Sequence, residues 1–186
     1  MGQGGQGRGR AGTIAQPSAR SRANPGKELS LKSLDHDRFM GLALECARGQ
    51  LAAGGRPIYC LIVQPDGRVV GEAGNTVAQD MDPSAHAEVN AIRSACARLK
   101  TVDLSGSTLY TTMEPCPMCL STILEAKIPR IVLGARHQRV GRADLPNYSV
   151  ESHLASMSKQ LDVVPGIREQ ECEQLRLAWK RIHRES

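Results

Sequence analysis

From Asp35 to Ala53 the apolar residues Phe39, Leu42, Ala43, Cys46 and Ala47 recur at helical spacing, and Gly54-Gly55 ends the run. The spacing predicts an opening helix. Ile58 to Gln64 is a short apolar run, Pro65-Asp66-Gly67 supplies turn residues, and Arg68 to Ala73 reads as the returning strand of a hairpin. Helical spacing resumes from about Ser84 to Leu99. A strand over Thr108 to Met113, a helix from about Pro117 to Ala126 and a strand over Arg130 to Gly134 follow. A short helix over Ser149 to Met157, a strand over Leu161 to Val164 and a closing helix over Arg168 to Arg184 complete the chain. Strands alternating with helices predict an α/β fold, with helices packed on both faces of a mixed sheet.

The first thirty or so residues depart from this pattern. They are rich in Gly, Gln, Arg, Ser and Pro and offer too little apolar surface to offset the entropy of ordering them. Residues 1–33 therefore read as a disordered basic tail and residues 34–186 as one domain, which a chain of 186 residues accommodates. The net charge of +5 divides the same way. Up to Ser33 six basic residues face one acid, Glu28, whereas from Leu34 onward 18 basic residues meet 18 acidic ones. The domain is neutral and the positive charge belongs to the tail. Such a tail reads as a dispensable extension, with a transit peptide or an RNA-binding arm as the alternatives.

Aromatic residues make up only 3% of the chain, so its core has to be built from aliphatic side chains. No stretch approaches the roughly 20 apolar residues of a membrane span. Of the six cysteines, only Cys116 and Cys119 have an informative spacing. Without a secretory signal this favours metal chemistry in the cytoplasm over a disulfide framework, with organellar import through the tail as the alternative.

Two segments carry the chemistry: His86-Ala87-Glu88, and Pro115-Cys116-Pro117-Met118-Cys119 thirty residues later. A Cys-x-x-Cys at a helix start puts both sulfurs beside free backbone N–H groups and the positive end of the dipole, which favour thiolate. Pro117 fits the first helical turn, and Asp82-Pro83-Ser84 signals the start of the helix bearing His86 and Glu88. Structural zinc takes four protein ligands, catalytic zinc three and a water. His86, Cys116 and Cys119 supply three. Cys96 lies ten residues beyond His86, about 280° further round and almost three turns away, too far to join them. An open position beside Glu88 is a hydrolytic arrangement, in which zinc acidifies a water to a pKa of about 7 and Glu88 moves the protons.

His-x-Glu with Pro-Cys-x-x-Cys is the signature of zinc deaminases acting on bases. In PSAHAEVNAIR and TLYTTMEPCPMC the chain resembles the cytidine deaminase-like superfamily, in the branch of cytosine, guanine and transfer-RNA adenosine deaminases. The resemblance implies a three-layer α/β/α sandwich, one Zn2+ per chain and a homodimer or larger assembly. It also implies that Asn75 hydrogen-bonds the bound base or sugar, where Asn75 by itself equally reads as a turn residue. The chain departs from the family at Pro57-Ile58-Tyr59-Cys60, where members commonly carry Pro-Phe-Gly-Ala; the larger side chains of Tyr59 and Cys60 are expected to reshape the pocket floor. Pro117-Met118 is similar to guanine deaminases. Gly134-Ala135-Arg136 is similar to transfer-RNA adenosine deaminases, which usually continue with Asp where this chain has His137.

Glu114 reads as a buried capping carboxylate, and His36, His137, His153 and His183 as surface histidines. Tyr148 reads equally as a pocket, core or surface tyrosine. Arg176, Lys180 and Arg184 form one basic stripe, a solvated face or an RNA contact. The leading functional expectation is hydrolytic deamination of a free nucleobase or nucleoside with release of ammonia. The alternatives are adenosine-to-inosine conversion in transfer RNA and a non-catalytic zinc-binding module. Domain neutrality favours the small substrate, and Glu88 disfavours the module.

Overall fold

The structure is a computed structural model that describes Met1 and residues 34–183. The tail expected before Leu34 and the end of the basic stripe at Arg184 lie outside the described residues. Along the chain run α1 (His36–Ala52), β1 (Tyr59–Val63), β2 (Val69–Gly74), α2 (Val77–Asp80), α3 (Ala87–Leu99) and β3 (Thr108–Met113). They are followed by α4 (Pro117–Glu125), β4 (Arg130–Ala135), α5 (Val150–Ser156), β5 (Asp162–Val164) and α6 (Glu169–His183). No described helix is long and apolar enough to cross a membrane.

The strands form one sheet in the order β2-β1-β3-β4-β5. β1 pairs antiparallel with β2 and β3, whereas β3–β4 and β4–β5 are parallel. Alternation along the strands serves both faces. Cys60, Ile62, Leu109, Ile131 and Leu133 meet α3, α4 and α5 on one side. Leu61, Val63, Tyr110 and Val132 meet α1 and α6 on the other. The result is the expected three-layer α/β/α sandwich with a mixed sheet. β3 and β4 run the same way, so their carboxyl ends share one edge, where open α/β sheets place their ligand sites.

Three local readings shift. α1 buries Phe39, Met40, Ala43, Leu44 and Ala47, while Leu42 is 40% exposed, so its inward face is turned relative to the expected one. α2 was not foreseen, because its four residues bury none of their side chains and carry no apolar period. α3 begins at Ala87 rather than near Ser84: Asp82 closes a turn on Ser84, whose N–H donates to its Oδ1 at 2.7 Å, leaving His86 extended as the N-cap.

α3 lies so close to β2 that a Cβ added at Gly71 would collide with the Ala91 carbonyl oxygen and the Ala95 side chain. Both obstacles sit on a helix pinned by the core and cannot swing away. Gly71→Ala should therefore destabilise the fold by about 1–3 kcal/mol, the usual cost of overpacking. Urea unfolding of both proteins checks this, and an unchanged midpoint would mean that α3 can slide.

Candidate active site and metal centre

Both halves of the signature fall where helices begin. His86 is the N-cap of α3, Cys116 is the N-cap of α4, and Pro117 occupies its first turn. Glu88 and Cys119 follow within the first turns of the same helices, so the two N-termini converge. Cys116 Sγ and Cys119 Sγ are 3.6 Å apart, and His86 Nδ1 lies 3.6 Å from the first and 3.4 Å from the second. A tetrahedral zinc with bonds of about 2.3 Å to sulfur and about 2.0–2.1 Å to nitrogen spaces its donors about 3.5–3.8 Å apart. The donor set and its spacing fit that ion. Among the described residues these three form the cluster that can hold a metal.

The electrostatics point the same way. Contact with Cys119, then with His86, holds the Cys116 thiol down at about 4, while sharing with Cys116 and burial push Cys119 far up. A thiolate held down in this way is the form of cysteine that binds a metal. Glu88 is 3% exposed, with Oε2 3.5 Å from Cys119 Sγ and Oε1 accepting from the Thr111 hydroxyl at 3.4 Å. Burial pushes its carboxyl up to about 7, where it gains and loses a proton near neutrality.

A cavity of about 360 Å³ opens on this cluster. Asn75, buried beside it, lines the wall with Arg56, Ile58, Met113 and Glu114. Residues 142–144 and, from α6, Arg176 and Lys180 also line it. The expected reshaping by Tyr59 and Cys60 is not seen: neither lines the cavity, which takes Ile58 instead, because Cys60 points into the core under α3. Glu114 is the capping carboxylate its sequence position suggests. It accepts from the backbone N–H groups of His137 and Val150 at 2.8 and 3.0 Å and from Arg136 at 3.0 Å.

Two surface readings, of His137 and Arg176, are corrected, and the open reading of Tyr148 falls to the core. His137 is 1% exposed and stands in the cavity wall, because Glu114 draws its backbone in from the end of β4. Tyr148 is buried, its hydroxyl donating to the Pro115 carbonyl at 2.7 Å. Arg176 is no solvated residue either: it is 6% exposed, with its guanidinium 4.4 Å from the Trp179 ring centre. Lys180 reaches back to the carbonyls of Val140 and Gly141 at 3.2 and 2.9 Å.

An α/β/α domain in which a His/Cys/Cys donor set at converging helix N-termini stands beside a buried carboxylate in the wall of an open cavity defines the class of zinc-dependent hydrolytic sites. Residues 33–135 match the cytidine and deoxycytidylate deaminase zinc-binding region, and the chain belongs to that family. The tRNA-specific adenosine deaminase of Haemophilus influenzae is 33% identical over 138 residues, 74% of this chain and 79% of that protein. The guanine deaminase of Bacillus subtilis is 40% identical over 111 residues, 59% of this chain and 70% of that protein. Similarity extends to the tRNA(Ile)-lysidine synthase of Deinococcus deserti, 39% identical over 135 residues; these are 73% of this chain but only 25% of that protein's length. A solved structure from work on A-to-I editing by tRNA:A34 deaminases aligns with a TM-score of 0.64 and 36% identity, covering 74% of this chain and 98% of that one. The family is one of zinc-binding deaminases, which sets aside the non-catalytic module, and its members here divide between guanine and transfer RNA.

Proposed function

We propose that this chain hydrolyses the exocyclic amine of a free nucleobase or nucleoside, a guanine- or cytosine-type heterocycle, releasing ammonia. The observation that supports this best is the cavity. About 360 Å³, lined in part by α6, suits a single heterocycle, and the domain around it has no net excess of positive charge with which to hold a phosphate backbone. His86, Cys116 and Cys119 would hold the zinc. When bound, zinc supplies Lewis acidity, making water nucleophilic near neutral pH. Glu88 takes one proton from the attacking water and passes it to the ring nitrogen beside the carbon under attack, then takes the proton left on the added hydroxyl and passes it to the amine as the C–N bond breaks. Water and amino-heterocycle thus become lactam and ammonia, with Glu88 restored. The Asn75 amide, in the cavity wall, orients the heterocycle.

A second reading, adenosine-to-inosine conversion in transfer RNA, is favoured by the Haemophilus relative and by the placement of Arg176 and Lys180 at the cavity. Ammonia release over guanine, cytosine, adenine, their nucleosides and an anticodon stem-loop separates the two. Activity on a free heterocycle should barely change between low and high salt, and a chain starting at Leu34 should retain it. Were RNA the substrate, six to ten phosphate contacts would cost about 10³–10⁵ in affinity between about 50 and 200 mM salt. Salt is a cleaner probe than neutralising Arg176, since that substitution would also disturb the buried cavity wall. Turnover of the stem-loop alone, with a steep salt slope, would overturn the free-base reading and leave the metal site standing.

A further inference from the structure

Asn75 reaches the cavity from a short link, Asn75-Thr76, between the end of β2 at Gly74 and the start of α2 at Val77. Its N–H donates to the Ile58 carbonyl at 3.1 Å, and the Thr76 N–H donates to the Ala85 carbonyl at 3.0 Å, one residue before His86. A further tie comes from Asn90, which is not one of the described residues lining the cavity. It sits one turn beyond His86 on α3, its N–H donating to the His86 carbonyl at 2.9 Å. Its side-chain Nδ2 lies 3.2 Å from the Gly74 carbonyl, 2.9 Å from Thr76 Oγ1 and 3.2 Å from the Ala85 carbonyl. Carbonyl oxygens can only accept, so the NH₂ end of the amide faces them. The Thr76 hydroxyl gives its own proton to Asp80 Oδ2 at 2.5 Å and is left to accept from Asn90. One amide thus holds the residue on each side of Asn75 and the residue before His86.

We propose that Asn90 is a positioning residue, whose side-chain amide sets Asn75 relative to the metal ligand His86 so that Asn75 meets the heterocycle in register with the metal cluster. This rests on the role in substrate binding proposed above for Asn75. Neither Asn75 nor Thr76 belongs to a strand or helix, so the aim of the Asn75 side chain depends on a few individual hydrogen bonds. The Gly74 carbonyl lies in the peptide plane entering Asn75, and the Thr76 N–H lies in the plane leaving it. Each plane is rigid, so holding both fixes the direction of the Asn75 Cα–Cβ bond. Asn90 acts on the first plane directly and on the second through the Ala85 carbonyl, which accepts from both Thr76 and Asn90.

A double-mutant cycle tests this. Asn90→Ala, Asn75→Ala and the double variant are compared with the parent in zinc content and in kcat/KM on guanine, cytosine, their nucleosides and an anticodon stem-loop. Zinc should stay at one per chain in all four proteins, since no donor is altered. On whichever substrate the parent uses, Asn90→Ala should lower kcat/KM about 10- to 100-fold, as misplacement by about 1 Å does. In the Asn75→Ala background the same substitution should change kcat/KM by no more than about 2-fold, because the group it aims is already gone. A merely structural Asn90 would lower kcat/KM by the same factor in both backgrounds. That result, loss of zinc, or an unchanged kcat/KM in Asn90→Ala would each overturn the proposal. If Asn90→Ala does not fold, Asn90→Ser, which keeps one shorter donor, takes its place in the cycle under the same criterion. Undiminished kcat/KM in Asn75→Ala would overturn the role given to Asn75, and the proposal with it. Parent turnover confined to the stem-loop would overturn the free-base reading alone, and the cycle would then be read on that substrate.

Discussion

Glu88→Gln is expected to keep one zinc per chain, keep or slightly raise its melting temperature, and lose at least about 10³-fold in kcat, near the upper range for removing a general acid–base group. The expectation follows from where Glu88 sits. It lies two residues past His86 and its Oε2 is 3.5 Å from Cys119 Sγ, yet among the described residues the donor atoms that all lie close enough together to share one ion are those of His86, Cys116 and Cys119. Gln preserves size and can still accept from Thr111. It removes only the ability to gain and lose a proton, together with the cost of burying a charge. Zinc by atomic absorption, a thermal melt and ammonia release distinguish the outcomes. Substantial residual turnover would mean that another group carries the proton, and joint loss of metal and activity would make Glu88 a ligand.

Most of the fold was legible because local pattern and tertiary burial agree. Thr108–Met113 is entirely buried and apolar-rich, and its strand boundaries follow from sequence. Cys116, Pro117 and Cys119 combine metal-ligand spacing with helix-start chemistry, and the structure brings them to His86. What could not be read were contacts supplied by distant chain. His137 sits in the polar run Arg136-His137-Gln138-Arg139, which has no period, and its burial comes from Glu114, 23 residues earlier. One signal was available: residues just past the carboxyl ends of adjacent parallel strands face the same crevice. Glu114 follows β3 and His137 follows β4. Arg176 misled for a related reason. Its spacing with Lys180 is that of an exposed stripe, but spacing cannot tell which face of α6 lies on the cavity.

Cys116→Ser and Cys119→Ser should each lose zinc, and with it the part of the stability that zinc contributes. A site assembled from His86 at one helix start and two cysteines at another exists only in the folded chain, so binding energy becomes folding energy. With free zinc at about 100 times its Kd, that amounts to about 2.7 kcal/mol, or about 5–11 °C in melting temperature for a chain of this size. The parent should lose this increment on adding chelator. Either variant should melt near the chelated parent and ignore further chelator. The two need not be equal: Cys119 is fully buried, so a serine hydroxyl there also has to be desolvated, and Cys119→Ser should be the less stable of the pair. Zinc content and melts with and without chelator, run on all three proteins, read every step. A variant that keeps its zinc and its chelator-sensitive melt would show that the residue replaced is not a ligand, and the three-donor centre would have to be redrawn around the remaining pair.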